Sequence, residues 1–192
     1  MKKTSNGIYV FFRPILSFIV KVFLGLKIKN KEVLEEGPMV IVANHRSFID
    51  PIYILASTKR TIHFFSKVEL VKGWKKFIFN KTGLIAVDRK AKNPESLIVA
   101  GEYLKNGELV GIFPEATRNY SKNKLLPMKV GAAKLAIDNK VPIVLAIQTG
   151  KSGFLSRTIC LSFSDKIDVT KMSVEEAMKV IKSEMEKLIT DR

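Results

Sequence analysis

Met39-Val40-Ile41-Val42-Ala43-Asn44-His45-Arg46-Ser47-Phe48-Ile49-Asp50-Pro51 reads as a buried strand, a polar exit and the start of a helix. The five apolar residues form the strand, and the polar residues follow where it ends. His45 and Asp50 stand five apart, a spacing that would turn one away from the other on a continuous helix. A turn can bring them together. An imidazole held by a carboxylate is a general base suited to neutral pH, because the carboxylate fixes the tautomer and leaves the other ring nitrogen open to a proton. A plainer reading fits the same residues. Asp before Pro51 is a good helix N-cap with proline at the first helical position, and that alone would explain Asp50. On this stretch both readings stand.

Outward from it the pattern alternates. Apolar strand-like runs cover 39–43, 61–65, 84–87, 109–113, 143–147 and 158–163. Helical segments are expected over 52–57, 68–79, 94–105 and 129–139. A last helix opens on the capping box Ser173-Val174-Glu175-Glu176 and continues through Ala177, Val180, Ile181 and Leu188. Such alternation predicts an α/β fold: a single domain with a mostly parallel mixed sheet flanked by helices. The glycines are scattered and form no phosphate-binding loop motif.

The 192 residues, 46% of them hydrophobic, suit one domain with a sizeable core and argue against disorder. One cysteine excludes an internal disulfide and fits a reducing compartment; Cys160, in an alternating apolar run, reads as a buried structural thiol. Two histidines and one cysteine are too few for a zinc site without carboxylates, and no metal is expected. His63, in Thr61-Ile62-His63-Phe64-Phe65 with no carboxylate nearby in sequence, reads as a structural strand residue.

The formal charge of +15 is large and unevenly spread. Residues 1–31 carry seven Lys or Arg and no acid, and residues 59–92 carry ten against only Glu69 and Asp88. That suits an anionic lipid surface, a nucleic acid or an acidic partner. No nucleic-acid recognition motif accompanies it, so no nucleic-acid partner is expected. The stretch 8–26 is strongly apolar, with Arg13, Ser17 and Lys21 recurring every four residues as a narrow polar stripe. Charges interrupt it too often for an ordinary membrane span or a signal peptide. It predicts an amphipathic helix lying in the membrane interface, with its cations at the headgroups, over a segment 1–26 that precedes the α/β domain 27–192. A helix packed on the core is the alternative.

A second constellation, Phe113-Pro114-Glu115-Ala116-Thr117-Arg118-Asn119, also follows an apolar strand. Arg118 offers a bidentate cation suited to phosphate. A third, Leu84-Ile85-Ala86-Val87-Asp88-Arg89, repeats the layout of strand then cation, and Val141-Pro142-Ile143-Val144 opens another strand. Together these blocks resemble the glycerolipid acyltransferase family, especially bacterial 1-acyl-glycerol-3-phosphate (lysophosphatidate) acyltransferases. The family's N-H-x4-D block matches Asn44, His45 and Asp50. Its strand ending in Asp-Arg matches Asp88 and Arg89, and its F-P-E-G-T-R-S block matches Phe113, Pro114, Glu115, Thr117 and Arg118. Its V-P-I-V-P block matches residues 141–144. Lys67, Glu69 and Leu70 match a K-x-E-L segment, and Lys129, Gly131 and Ala132 a K-x-G-A helix start. The likeness spans about residues 26–165. Three positions depart from it: Ala116 stands for a Gly, Asn119 for a Ser and Leu145 for a Pro.

The resemblance implies that a fatty acyl group moves from an acyl thioester to the free hydroxyl of a lysophospholipid, most naturally 1-acyl-glycerol-3-phosphate. His45 would be the base and Asp50 its holder. Arg118, Arg89 and Lys67 would bind the acceptor's phosphate, Glu115 would shape its pocket, and Thr117 would be a further substrate-binding residue. The implied partners are a membrane phospholipid surface, that acceptor, and acyl-CoA or acyl carrier protein as donor, with no cofactor. The implied place is the cytoplasmic face of the cell membrane, as a peripheral or monotopic protein. A related lysolipid acceptor, or a non-enzymatic basic lipid-binding module, remains open at this point. If position 116 needs a positive φ, the Cβ of Ala116 costs on the order of 1 kcal/mol.

Overall fold

The apolar run Met39–Ala43 is buried along its whole length, which requires cover on both faces of the sheet it belongs to. The computed structural model describes residues 7–23, 25–67, 83–87, 95–150 and 158–190. In chain order these form α1 (Gly7–Phe23), β1 (Lys27–Lys29), a 3-10 turn (Lys31–Leu34), β2 (Met39–Ala43), α2 (Asp50–Leu55), β3 (Ile62–Lys67) and β4 (Ile85–Val87). Then follow α3 (Glu95–Lys105), β5 (Leu109–Ile112), α4 (Gly131–Asp138), β6 (Ile143–Thr149), β7 (Cys160–Phe163) and α5 (Val174–Thr190). The helix expected over 68–79 lies outside the described residues.

The strands form one seven-stranded sheet in the order β1-β7-β6-β2-β5-β3-β4. Every neighbouring pair is parallel except β6 with β7, so the sheet is mixed and mostly parallel, as expected. Alternation along β2 sends its side chains to two cores. Val40 and Val42 pack with α3, α4 and α5 through residues such as Leu104, Leu135 and Ile181. Met39, Ile41 and Ala43 pack on the other face with Val20 of α1 and with Tyr53 and Ile54 of α2. β2 sits between β5 and β6, and all three strands run the same way. Their carboxyl ends therefore open together, where α/β sheets place their ligands.

Several bounds differ from the sequence reading. β3 runs two residues past 65 because Ser66 and Lys67 pair with Ala86 and Val87. β6 continues to Thr149 because β7 pairs with it antiparallel up to Thr149↔Cys160. The cysteine is half-buried there, its Sγ 3.6 Å from Ser162 Oγ.

α1 requires a correction. Two residues of its polar stripe, Arg13 and Ser17, turn onto the protein and not outward to headgroups. Arg13 Nη1 donates to the carbonyl of Thr58 at 3.0 Å, and Ser17 Oγ donates to the carbonyl of Ala56 at 3.4 Å. Carbonyls at a helix end lack intrahelical partners, and that of Ala56, the C-cap of α2, is one of these; that of Thr58 follows just beyond it. The exposed side of α1 instead carries Phe11, Ile15, Phe18, Ile19 and Val22. Among the described residues no helix is long and apolar enough to cross a membrane.

Candidate active site

Asn44 is the first residue beyond β2, and its side chain continues the sheet where the backbone leaves it. Its Nδ2 donates to the carbonyl of Gln148 at 3.0 Å, and its Oδ1 accepts the N–H of Gln148 at 2.8 Å. The chain can thus turn away without stripping β6 of its partners. The next residue, His45, is clamped through its backbone. Its N–H donates to Glu115 Oε1 at 2.9 Å, and its carbonyl accepts the N–H of Asn119 at 2.7 Å. Two blocks separated by 70 residues in sequence thereby become one loop cluster.

The imidazole stacks on Phe113, with ring centroids 4.2 Å apart and planes at 26°. Phe113 stacks in turn on Phe64 at 5.6 Å. Phe64 has room because residue 111 is glycine: a Cβ there would lie 2.3 Å from the Phe64 ring. The aromatic stack sets the ring's plane, and Asp50 sets its rotation. His45 Nδ1 lies 2.9 Å from Asp50 Oδ2. The same oxygen accepts the N–H of Arg46 at 2.6 Å and of Ser47 at 2.7 Å. A carboxylate accepts only, so Nδ1 carries the hydrogen and Nε2 the lone pair. Among the described residues nothing hydrogen-bonds Nε2, and the ring is 19% exposed against 2% for Asp50.

This geometry removes the N-cap reading of Asp50. The N-cap of α2 is Ile49, with no side-chain cap bond, and Asp50 lies inside the helix. Its carboxylate turns back onto residues 45–47.

Glu115 is buried, and both of its oxygens are engaged by main-chain donors: His45 N–H at Oε1 and Leu126 N–H at Oε2, each at 2.9 Å. It joins three loop segments. Ala116 adopts φ +56°, the left-handed conformation that favours glycine, so the loop keeps its shape with a Cβ in place. Asn119 does what a serine is too short for: its Nδ2 reaches Asn123 O at 2.9 Å while its Oδ1 accepts Ser121 N–H and Oγ–H. Leu145 uses an N–H that proline lacks, donating to Ser164 Oγ at 2.9 Å.

The other predicted site residues lie further out. Thr117 and Arg118 are exposed on the loop after Glu115, and the Arg118 guanidinium sits 5.4 Å over the Tyr120 ring. Lys67 is exposed at the end of β3. By strand alternation it shares the face of His63 and Phe65, opposite that of Phe64. Arg89, Asp88 and Glu69 lie outside the described residues.

Gln148 is a residue that sequence reasoning passed over. It is buried at the end of β6, and neither side-chain polar atom has a hydrogen-bond partner among the described residues. A polar residue inside the apolar run of β6 was the signal available. His63 is fully buried as expected but has a carboxylate partner after all. Nδ1 lies 2.6 Å from Gly83 O, Nε2 meets Glu108, and the ring stacks on Tyr103 at 3.6 Å. Glu108 comes from the start of the neighbouring strand, 45 residues away. Among the described residues no three His, Cys, Asp or Glu side chains gather so as to hold a metal ion.

The family model described as Acyltransferase matches residues 25–147. The chain belongs to the acyltransferase family. This acyltransferase is 33% identical over 147 residues to the 1-acyl-sn-glycerol-3-phosphate acyltransferase of Bacillus subtilis, covering 75% of this chain and 72% of that one. It is 31% identical over 141 residues to the human 1-acyl-sn-glycerol-3-phosphate acyltransferase beta, covering 70% of this chain but 50% of that longer protein. Its fold matches the crystal structure of the 1-acyl-sn-glycerophosphate acyltransferase PlsC from Thermotoga maritima. There the TM-score is 0.66 at 22% identity, over 95% of this chain and 88% of that one. The acyltransferase match ends within β6, so it takes in both blocks that meet at His45.

Proposed function

We propose that this acyltransferase moves a fatty acyl group from an acyl thioester to the free hydroxyl of 1-acyl-glycerol-3-phosphate, giving phosphatidic acid. The observation that carries the reading is the 2.9 Å contact between His45 Nδ1 and Asp50 Oδ2, with Nε2 left open. The relatives' names supply the acceptor. His45 Nε2 takes the proton of the acceptor hydroxyl as the oxygen attacks the thioester carbonyl. Asp50 holds the imidazolium that forms. The tetrahedral adduct collapses, the carbon–sulfur bond breaks, and the leaving thiolate takes the proton from Nε2. No acyl-enzyme is required: the serine in the turn, Ser47, gives its N–H to Asp50 Oδ2, and its Oγ accepts the N–H of Ile49.

Arg118, on the loop that clamps His45, would meet the acceptor's phosphate, with Thr117 beside it and Arg89 joining them as the family resemblance implies. A planar guanidinium suits a phosphate bidentately. Acyl-CoA and acyl carrier protein are both anionic, and a chain of charge +15 suits either as donor. The exposed row Phe11, Ile15, Phe18, Ile19 and Val22 would enter the membrane interface, on the cytoplasmic face where such donors are found, and hold the site at headgroup depth.

The test is acyl transfer by the purified full chain on vesicle-borne lysophosphatidate, with each donor type, read by lipid mass spectrometry. Wild type should form phosphatidate. A folded His45→Ala variant should lose roughly 10²–10⁴-fold in rate. Wild-type turnover by that variant refutes the mechanism.

A further inference from the structure

Three buried side-chain polar atoms have no hydrogen-bond partner among the described residues: Asp50 Oδ1, and Oε1 and Nε2 of Gln148. Buried polar atoms are nearly always paired, so each such group calls for an explanation. Here they fall at one place. The turn carrying Asp50 is tied to the end of β6 by both Asn44–Gln148 bonds and by Arg46 Nη1 donating to Gly150 O at 3.1 Å. Alternation along β6 sets the side of the sheet. Leu145 and Ile147 belong to the core under α4 and α5, whereas Val144 and Ala146 belong to the core that holds Tyr53 and Ile54 of α2. Gln148 therefore projects on the α2 face, and α2 begins with Asp50.

The two residues are also chemically complementary. Asp50 Oδ2 takes three donors while Oδ1 takes none among the described residues. A glutamine amide supplies two N–H donors. The other ionisable groups around the turn are engaged elsewhere. Glu115 accepts the N–H of His45 and of Leu126, and the Arg46 guanidinium donates to Gly150 O.

We propose that Gln148 is a positioning residue of the His45–Asp50 pair: its side-chain amide N–H holds Asp50 Oδ1 across one shared water. A donor there fixes the plane of the carboxylate, and with it the oxygen that faces His45 Nδ1. It also steadies the ionised carboxylate most when His45 is neutral, because a protonated imidazole already neutralises part of that charge. Removing the donor makes the pair hold its proton to higher pH. Only the kinetic consequence rests on the proposed reaction.

The experiment follows the His45 Cε1–H resonance against pH, by NMR of the histidine-labelled full chain without substrate. Wild type is compared with Gln148→Met, which keeps the volume and loses the amide, and with Gln148→Glu, which keeps the shape and adds a charge. Gln148→Met should raise the His45 midpoint by about half a unit or more, and Gln148→Glu should raise it further through like charge beside Asp50. In acyl transfer, Gln148→Met should lower kcat by about 3–10-fold with the acceptor KM unchanged. Midpoints equal to wild type in both variants overturn the proposal. A fall in kcat with an unmoved midpoint overturns it too, since packing alone would do that. Should Gln148→Met fail to fold, Gln148→Leu decides, because it too loses the amide without adding a charge. If His45→Ala leaves turnover intact while the midpoint shifts as stated, the reaction assignment falls and the Gln148–Asp50 coupling stands.

Discussion

Asp50→Asn separates what this side chain does for the fold from what it does for chemistry. Oδ2 accepts His45 Nδ1 at 2.9 Å, Arg46 N–H at 2.6 Å and Ser47 N–H at 2.7 Å. Asparagine can place its one carbonyl oxygen there and keep all three contacts, now to a neutral acceptor. Charge assistance is worth roughly 0.5–1 kcal/mol per bond, so about 1.5–3 kcal/mol is lost over the three. Relief of burying an ionised group offsets part of that. A net loss of about 1–2 kcal/mol should lower Tm by about 2–8 °C for a chain of this size and leave the protein folded. Catalysis should suffer far more. Without the carboxylate nothing stabilises the imidazolium, and acyl transfer should fall by about 10²–10⁴-fold. Calorimetry and the transfer assay on one preparation read both quantities. Wild-type turnover in folded Asp50→Asn would refute the reasoning, because it would reduce Asp50 to a turn-holding residue that asparagine replaces.

Ala116→Gly should stabilise the protein by about 0.5 kcal/mol, the left-handed penalty on a Cβ outweighing the extra freedom of glycine in the unfolded chain; a lower urea midpoint would argue that the loop wants the methyl group. Gly111→Ala should cost about 1–3 kcal/mol, because its Cβ would sit 2.3 Å from the Phe64 ring, and should also slow transfer by moving the stack behind His45. Adding Phe64→Leu should restore stability, and a strictly additive double variant would show that the ring is not the obstacle. At α5, the Ser173 hydroxyl and then its N–H hold the Glu176 carboxyl below the usual carboxylate range. A depressed pKa gives stability that is present above the ordinary carboxylate pKa and lost as pH falls through the folded value. Ser173→Ala should therefore lower Tm at neutral pH, and the gap to wild type should narrow in acid; a gap that is the same at both pH values would contradict this.

The strands legible in the sequence were those whose burial is written in a local run. β2 and β5 read directly, because each is apolar and ends in polar residues. β1 did not: Lys27-Ile28-Lys29 is short and charged, and it is a strand only because β7 offers an edge at Cys160–Ser162. The His45–Asp50 spacing showed that the two side chains could meet, but its N-cap alternative fell only when the carboxylate was seen to turn back onto 45–47. The clamp on the His45 backbone joins residues 70 apart, and no periodicity carries that information. α1 shows the same limit. A helical wheel finds the polar stripe but not its partner, and here the partner is a pair of carbonyls at and just beyond the end of another helix.

The strand order also governs how the protein can be made. β2, the central strand, has β5 and β6 as neighbours, and both are translated after it. At roughly 5–20 residues per second, the stretch between β2 and β6 takes about 5–20 s to synthesise. Through that interval a fully apolar strand waits without its second partner. β1 waits longer, until residues 160–162 exist. Pairings so distant in sequence close slowly. α1 and α2 are close in sequence, so the contacts of Arg13 and Ser17 with Thr58 and Ala56 can form while His45 still lacks the strand beside it.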